Sequence, residues 1–184
     1  MRLLAAVGLV LLSLAARPAA AIDLLQTNPL FYYVSSGDLE KVERALATGS
    51  NVNATDPSGR TGLIMAAIAG NVEMIRLLLR FTAKPDLRDD VGNAALSYAA
   101  GGGHVETAIA LIKAGATVDI ENRQGLTPLM FAASHGESEV ARELLVHKAD
   151  FARRDYTGRT ALMWAERNGK AAVMSVLRRS GAKE

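Results

Sequence analysis

The chain of 184 residues has no cysteine. Disulfides, a lipid-modified cysteine and any thiolate metal site are therefore excluded, and stability has to come from packed apolar surface alone. Histidine is scarce too: only His104, His135 and His147 occur, and spacings of 31 and 12 residues do not make a zinc constellation. No Gly-x-Ser-x-Gly elbow is present. The run Gly101-Gly102-Gly103-His104 lacks the Gly-Lys-Ser/Thr ending of a phosphate loop and does not open a helix after a strand. Asp86, Asp89 and Asp90 crowd one loop, but their spacing misses the calcium-loop pattern, and helix N-termini attract acids in any case. No catalytic residue, metal or cofactor is expected.

Long apolar runs are missing as well, with one exception. The opening "MRLLAAVGLVLLSLAARPAAA" sets Arg2 before an apolar run from Leu3 to Ala16, then Pro18 and small residues up to Ala21. About 14 apolar residues fall short of the roughly 20 that span a bilayer, and the pattern is that of a secretory signal cleaved after Ala21. The mature chain is expected to be soluble, without a membrane anchor, and periplasmic or secreted; the compact, alanine-rich signal suits a Gram-negative periplasm. In a eukaryotic secretory route, Asn53-Ala54-Thr55 would read as a glycosylation sequon. Net charge falls from +2 to 0 once Arg2 and Arg17 leave, so nothing draws the chain generally to nucleic acid or anionic lipid. The neutrality is uneven: residues 22–141 carry 9 basic and 14 acidic side chains, residues 142–184 carry 10 and 5. One end is expected to be negative and the other positive, which either orients a partner or simply caps the ends.

What the chain does have is a period. "GRTGLIMAAIAGN" from Gly59, "GNAALSYAAGGGH" from Gly92, "GLTPLMFAASHGE" from Gly125 and "GRTALMWAERNGK" from Gly158 follow one another at a step of 33 residues. Leu63, Leu96, Leu129 and Leu162 keep that step, as do Gly70, Gly103, Gly136 and Gly169. One step back, Leu30 and Gly37 are on register, although Gln26 stands where the turn glycine belongs. A period of this size marks a solenoid of small stacked units. In the best-formed unit, Thr127 is placed to cap a short helix, with Pro128 at its first position, where a missing N–H costs nothing, and Gly136 at its end. A second helix is expected over Glu139–His147, with Val140, Leu144 and Leu145 on one face. Helices this short do not persist alone in water, so each has to bury its apolar face against neighbours, and the pairs Ala66-Ala67, Ala99-Ala100 and Ala132-Ala133 allow close approach.

Together, "GLTPLMFAASHGE" and "VARELLVHKADF" resemble the ankyrin repeat, whose core reads Gly-x-Thr-Pro-Leu-x-x-Ala-Ala-x-x-Gly. The resemblance covers most of the chain after the signal, in five units at 23–55, 56–88, 89–121, 122–154 and 155–184. It implies an all-α solenoid of five stacked helix-turn-helix units joined by hairpin-like loops, concave on the short-helix and loop side. The end units fit a solenoid's need for wetted caps: in the first, Lys41, Arg44 and Ala45 stand where inner units mostly place larger apolar groups, and in the last Glu166 replaces the second alanine and Arg178 replaces Leu79, Ile112 and Leu145. The third unit departs most from the pattern, because Ala94 replaces the capping threonine and three glycines end its first helix. It is expected to open most easily. Thr82 stands where Gly115 and Gly181 imply a left-handed residue, so the second unit is expected to end its long helix differently, with Pro85 just beyond.

The resemblance further implies a non-enzymatic module that binds another protein through its concave face. Carried onto this chain, the binding positions are Arg60, Val91, Asn93, Arg123, Gln124, Leu126, His135, Tyr156, Arg159 and Arg167. Arg123, Tyr156, Arg159 and Arg167 are the expected anchors, since arginine and aromatic side chains dominate interface energetics, and they point to an acidic patch on the partner. His104 is expected to be structural, His147 solvated, and the chain monomeric. Similar exported bacterial ankyrin proteins imply either a helper of a periplasmic stress enzyme or an immunity-type inhibitor of an envelope toxin. A metal-dependent enzyme and a passive spacer remain the rival readings.

Overall fold

The computed structural model describes residues 28–183. The signal segment, its cleavage after Ala21 and the Gln26 departure lie outside the described residues. Among the described residues, ten helices follow in five pairs: α1 (Pro29–Ser36) with α2 (Leu39–Ala47), α3 (Gly62–Ile68) with α4 (Val72–Arg80), α5 (Ala95–Gly101) with α6 (Val105–Lys113), α7 (Pro128–His135) with α8 (Ser138–Val146), and α9 (Ala161–Arg167) with α10 (Ala171–Arg179). The long helix expected over Glu139–His147 is thus displaced by one residue. The first helix of each pair forms an inner row and the second an outer row. Neighbouring inner helices meet more closely than neighbouring outer ones, so the stack curves toward the inner row.

The local code works as the residues dictate. Asn28, Thr61, Thr127 and Thr160 accept backbone amides at the starts of α1, α3, α7 and α9, with Pro29 and Pro128 in the first turn. Ala94 offers no such bond to α5. Gly37 and Gly136 close α1 and α7 in the left-handed conformation. The side chain that opens each outer helix after the first sits on the preceding unit's closing glycine: Asn71 on Gly37, His104 on Gly70, Glu137 on Gly103 and Lys170 on Gly136. His104 also places Nε2 3.2 Å from the Ile68 carbonyl. It is structural, as expected. His147 is half-buried, with Nδ1 2.9 Å from the Glu143 carbonyl, so it is only partly solvated.

Leu63, Leu96, Leu129 and Leu162 are at most 1% exposed and belong to one core that runs through all five pairs. Each such leucine contributes about 1.5–3 kcal/mol of burial. Because the core is shared, no unit has one of its own. At the last unit, the two polar substitutions answer each other, Arg178 binding Glu166 at 2.8 Å over the wetted end.

The outer helices end alike, which corrects one expectation. Gly49, Gly115 and Gly181 turn with φ of 99°, 90° and 97°; Thr82 and Lys148, in the same register, adopt 62° and 65°. The second unit therefore keeps the common ending at the expense of strain in Thr82. The shared loop path beyond it dictates the turn, whatever residue occupies it.

Candidate interaction groove

The hairpins that rim the inner row are built from a second periodic set, Asp56, Asp89, Asn122 and Asp155. In each, Oδ1 accepts the amides two and four residues on: Ser58 and Arg60 at 2.8 and 2.9 Å, Val91 and Asn93 at 3.0 and 2.9 Å, Gln124 and Leu126 at 2.8 and 3.0 Å, Thr157 and Arg159 at 2.8 and 3.0 Å. Successive tips are then stitched together. The Asp90 amide donates to the Ser58 carbonyl at 3.1 Å, Arg123 to Val91 at 3.4 Å and Tyr156 to Gln124 at 3.0 Å. Nearer the outer row, Asn53, Asp86 and Asp119 accept the amides of Lys84, Thr117 and Asp150 in the next unit. The loop side chains therefore stand on a rigid frame. Asp86, Asp89 and Asp90 serve separate bonds and tips, and the described residues hold no cluster of three or more acids or histidines arranged for a metal.

The hairpin carboxylates register this bonding. Burial pushes Asp155 up, but the Thr157 hydroxyl, the Arg159 and Thr157 amides and the Trp164 indole together outweigh it, leaving its pKa below the ordinary 3.8. Burial likewise pushes Asp56 up, and its amide bonds and the Arg60 guanidinium bring it below that value. In Asp119 burial prevails and its pKa is raised.

The inner row presents one further periodic set. Tyr32, Met65, Tyr98, Phe131 and Trp164 share a register on the inner helices; Tyr32 is exposed and the others are half-buried. Their polar ends are matched to the hairpins. Tyr98 donates to Asp89 Oδ2 at 2.5 Å and Trp164 Nε1 to Asp155 Oδ2 at 2.9 Å. Phe131 has nothing to donate, and its hairpin carries Asn122 in place of an acid. The result is an apolar and aromatic stripe along the concave face. Sequence reasoning missed it, although the same step of 33 residues that revealed the leucines would have shown it.

The expected binding residues divide along this groove. Val91 and Tyr156 are exposed tips at 53% and 73%. Tyr156 lies across Gly125, where a Cβ would stand 2.6 Å from its ring; glycine is needed there both for that contact and for a φ of 76°. Arg123 and Gln124 are exposed. The Arg60 guanidinium is paired with Asp56 at 2.8 Å, so its charge is answered within its own hairpin. Asn93 is not a surface residue: it is 8% exposed and its Oδ1 accepts from Asn122 Nδ2 at 2.9 Å. It shares a register with Arg60, Leu126 and Arg159, and long side chains at that position reach the groove while the short Asn stays beneath it. We therefore correct Asn93 from a binding residue to a brace between hairpins.

The remaining expected residues come together at one place. Leu126, Met130, Phe131, Ser134, His135 and Trp164 line a cavity of about 180 Å³ between the fourth and fifth units. His135 Nδ1 is 2.9 Å from both the Phe131 carbonyl and the Ser134 hydroxyl. The guanidinium carbons of Arg159 and Arg167 each lie 5.5 Å from the centre of the Trp164 ring, within cation–π range.

A five-pair helical stack with a stitched hairpin rim and a concave stripe is a repeat solenoid built to display a surface. The family model of ankyrin repeats (3 copies) matches residues 30–122 and 110–183, and the chain belongs to the ankyrin-repeat family. Members of this family typically act as protein-protein interaction modules and not as enzymes. Compared with curated proteins, the chain matches none.

Proposed function

We propose that the chain is an exported, non-enzymatic adaptor that works as a monomer in a bacterial periplasm and binds one envelope protein along its concave groove. One observation carries the reading. The aromatic stripe lies on the packed inner helices, Arg123 and Arg159 stand on the hydrogen-bonded hairpins and Arg167 at the end of α9, and none of the three arginines has an ion-pair partner among the described residues. Frames of this kind hold contact residues in place before binding, so little ordering entropy is lost on association. The opening signal-like segment supports export.

Two measurements test this. In a Gram-negative host, the chain should be recovered from the periplasmic fraction with Ile22 as its first residue; recovery from the cytosol with Met1 retained refutes export. Affinity capture from that fraction should yield a partner whose retention drops about tenfold or more with Tyr156→Ala plus Arg159→Glu, as for loss of interface anchors. Retention unaffected by that pair refutes the groove. A captured oxidative-stress enzyme makes the chain its helper, and a captured toxin makes it an immunity protein.

A further inference from the structure

The cavity at the joint of the fourth and fifth units has a chemistry that narrows what the groove takes, and the inference drawn from it rests on the groove reading above. Its walls are carbon-rich: Leu126, Met130, Phe131 and the Trp164 ring, with Ser134 and His135 at the edge. Its volume of about 180 Å³ exceeds the roughly 150 Å³ apolar cavity that accommodates a benzene ring. One aromatic or branched aliphatic side chain fits, and two do not.

Trp164, one wall of the cavity, carries two cations against its ring. Arg159 and Arg167 stand against Trp164, the Arg159 guanidinium also donating to the Thr157 hydroxyl at 2.6 Å. The carboxylates close by are already committed. Asp155 is occupied by the Thr157 and Arg159 amides through Oδ1 and by the Trp164 indole through Oδ2. Glu166 is bound to Arg178. Neither Arg159 nor Arg167 faces a carboxylate within ion-pair distance among the described residues. Two guanidinium groups beside a half-dry aromatic ring attract carboxylates more strongly than the same groups would in open water, and they repel ammonium groups.

We propose that this cavity is the anchor pocket for the partner, and that it takes a single apolar side chain of a protein segment whose flanking residues are aspartate or glutamate. The apolar side chain displaces solvent from Leu126, Met130 and Phe131. Its acidic neighbours bind Arg159 and Arg167.

Trp164 is the only tryptophan in the chain, so its emission reports on the pocket directly. The test uses three synthetic peptides of equal length: one phenylalanine flanked by glutamates, the same peptide with serine for phenylalanine, and the same with lysines for the glutamates. The first should change Trp164 emission saturably, and each of the others should bind about tenfold or more weakly. The double variant Arg159→Glu plus Arg167→Glu should reverse the charge preference and bind the lysine peptide best. Equal responses to the three peptides, no saturable response, or an unreversed preference overturns the proposal. A natural partner that crosslinks to the hairpin tips but is indifferent to Arg159→Glu plus Arg167→Glu removes the pocket and leaves the groove standing; no crosslink at the tips removes both.

Discussion

Thr82 and Lys148 carry side chains where the repeat's geometry wants none. The left-handed conformation costs a residue with a Cβ about 1–2 kcal/mol, partly offset in a glycine by its freer unfolded chain. Thr82→Gly and Lys148→Gly should therefore each stabilise the fold, by about 0.5–1 kcal/mol, and raise the thermal midpoint by about 1–4 °C. Calorimetry showing a lower midpoint for both would mean that these side chains make contacts that outweigh the strain. Sequence register pointed to the strain at Thr82 but misjudged the response, because a turn shared by five loops is set by the chain path on either side of it. Asn93 was misread for a related reason: at its register arginine reaches out and asparagine does not, a matter of side-chain length that position alone does not disclose. The pairing of Tyr98 with Asp89, and of Trp164 with Asp155, shares one offset in the sequence, while Phe131 shares it with Asn122; at Met65 the acid of that offset, Asp56, is answered by Arg60 instead.

Among the elements, α5 is the exception. It has no side-chain cap, ends in Gly101 and Gly102, and buries Ser97 with its hydroxyl unpartnered among the described residues. In the same register, Ile64 and Met130 are buried apolar groups. Restoring the cap with Ala94→Thr should add about 1 kcal/mol, because Thr61, Thr127 and Thr160 occupy the same niche in their own units. Hydrogen exchange should show α5 opening before the other internal inner helices, α3 and α7, and Ala94→Thr should slow it. Faster exchange in α7 than in α5 would contradict this. The hairpins carry the acid sensitivity. Asp56 and Asp155 have pKa values below the ordinary 3.8, so their contribution is complete above 3.8 and is lost as pH falls below it through the lowered values. Asp119, raised by burial, takes up its proton above 3.8 in the folded state and gives a small gain as pH falls through that higher value. Denaturant titrations should thus show stability held or slightly rising as pH falls toward 4 and dropping below 3.8; a decline setting in well above 3.8 would place the acid-labile bonds elsewhere.

At the scale of the whole molecule, the stacked helix pairs and the shared leucine core followed from the period, because a unit without its own core has to stack. The curvature and the groove's position followed from the family resemblance. Its content did not, since the stripe from Tyr32 to Trp164 varies in residue type from unit to unit while keeping its place. No helix among the described residues is long and apolar enough to cross a membrane. The charge asymmetry read from composition becomes local in the structure: Arg60 is answered by Asp56 at one end of the groove, while Arg159 and Arg167 stand beside Trp164 at the other.

The measurement that bears most directly on this account is site-specific photocrosslinking in living cells. A photoreactive side chain at Tyr156 or Val91, on the groove rim, is compared with one at Val146, equally open on the outer row. The account predicts one discrete adduct of the same mass from both rim positions and none from Val146. Adducts from Val146 alone, or unrelated adducts from the two rim positions, would contradict it.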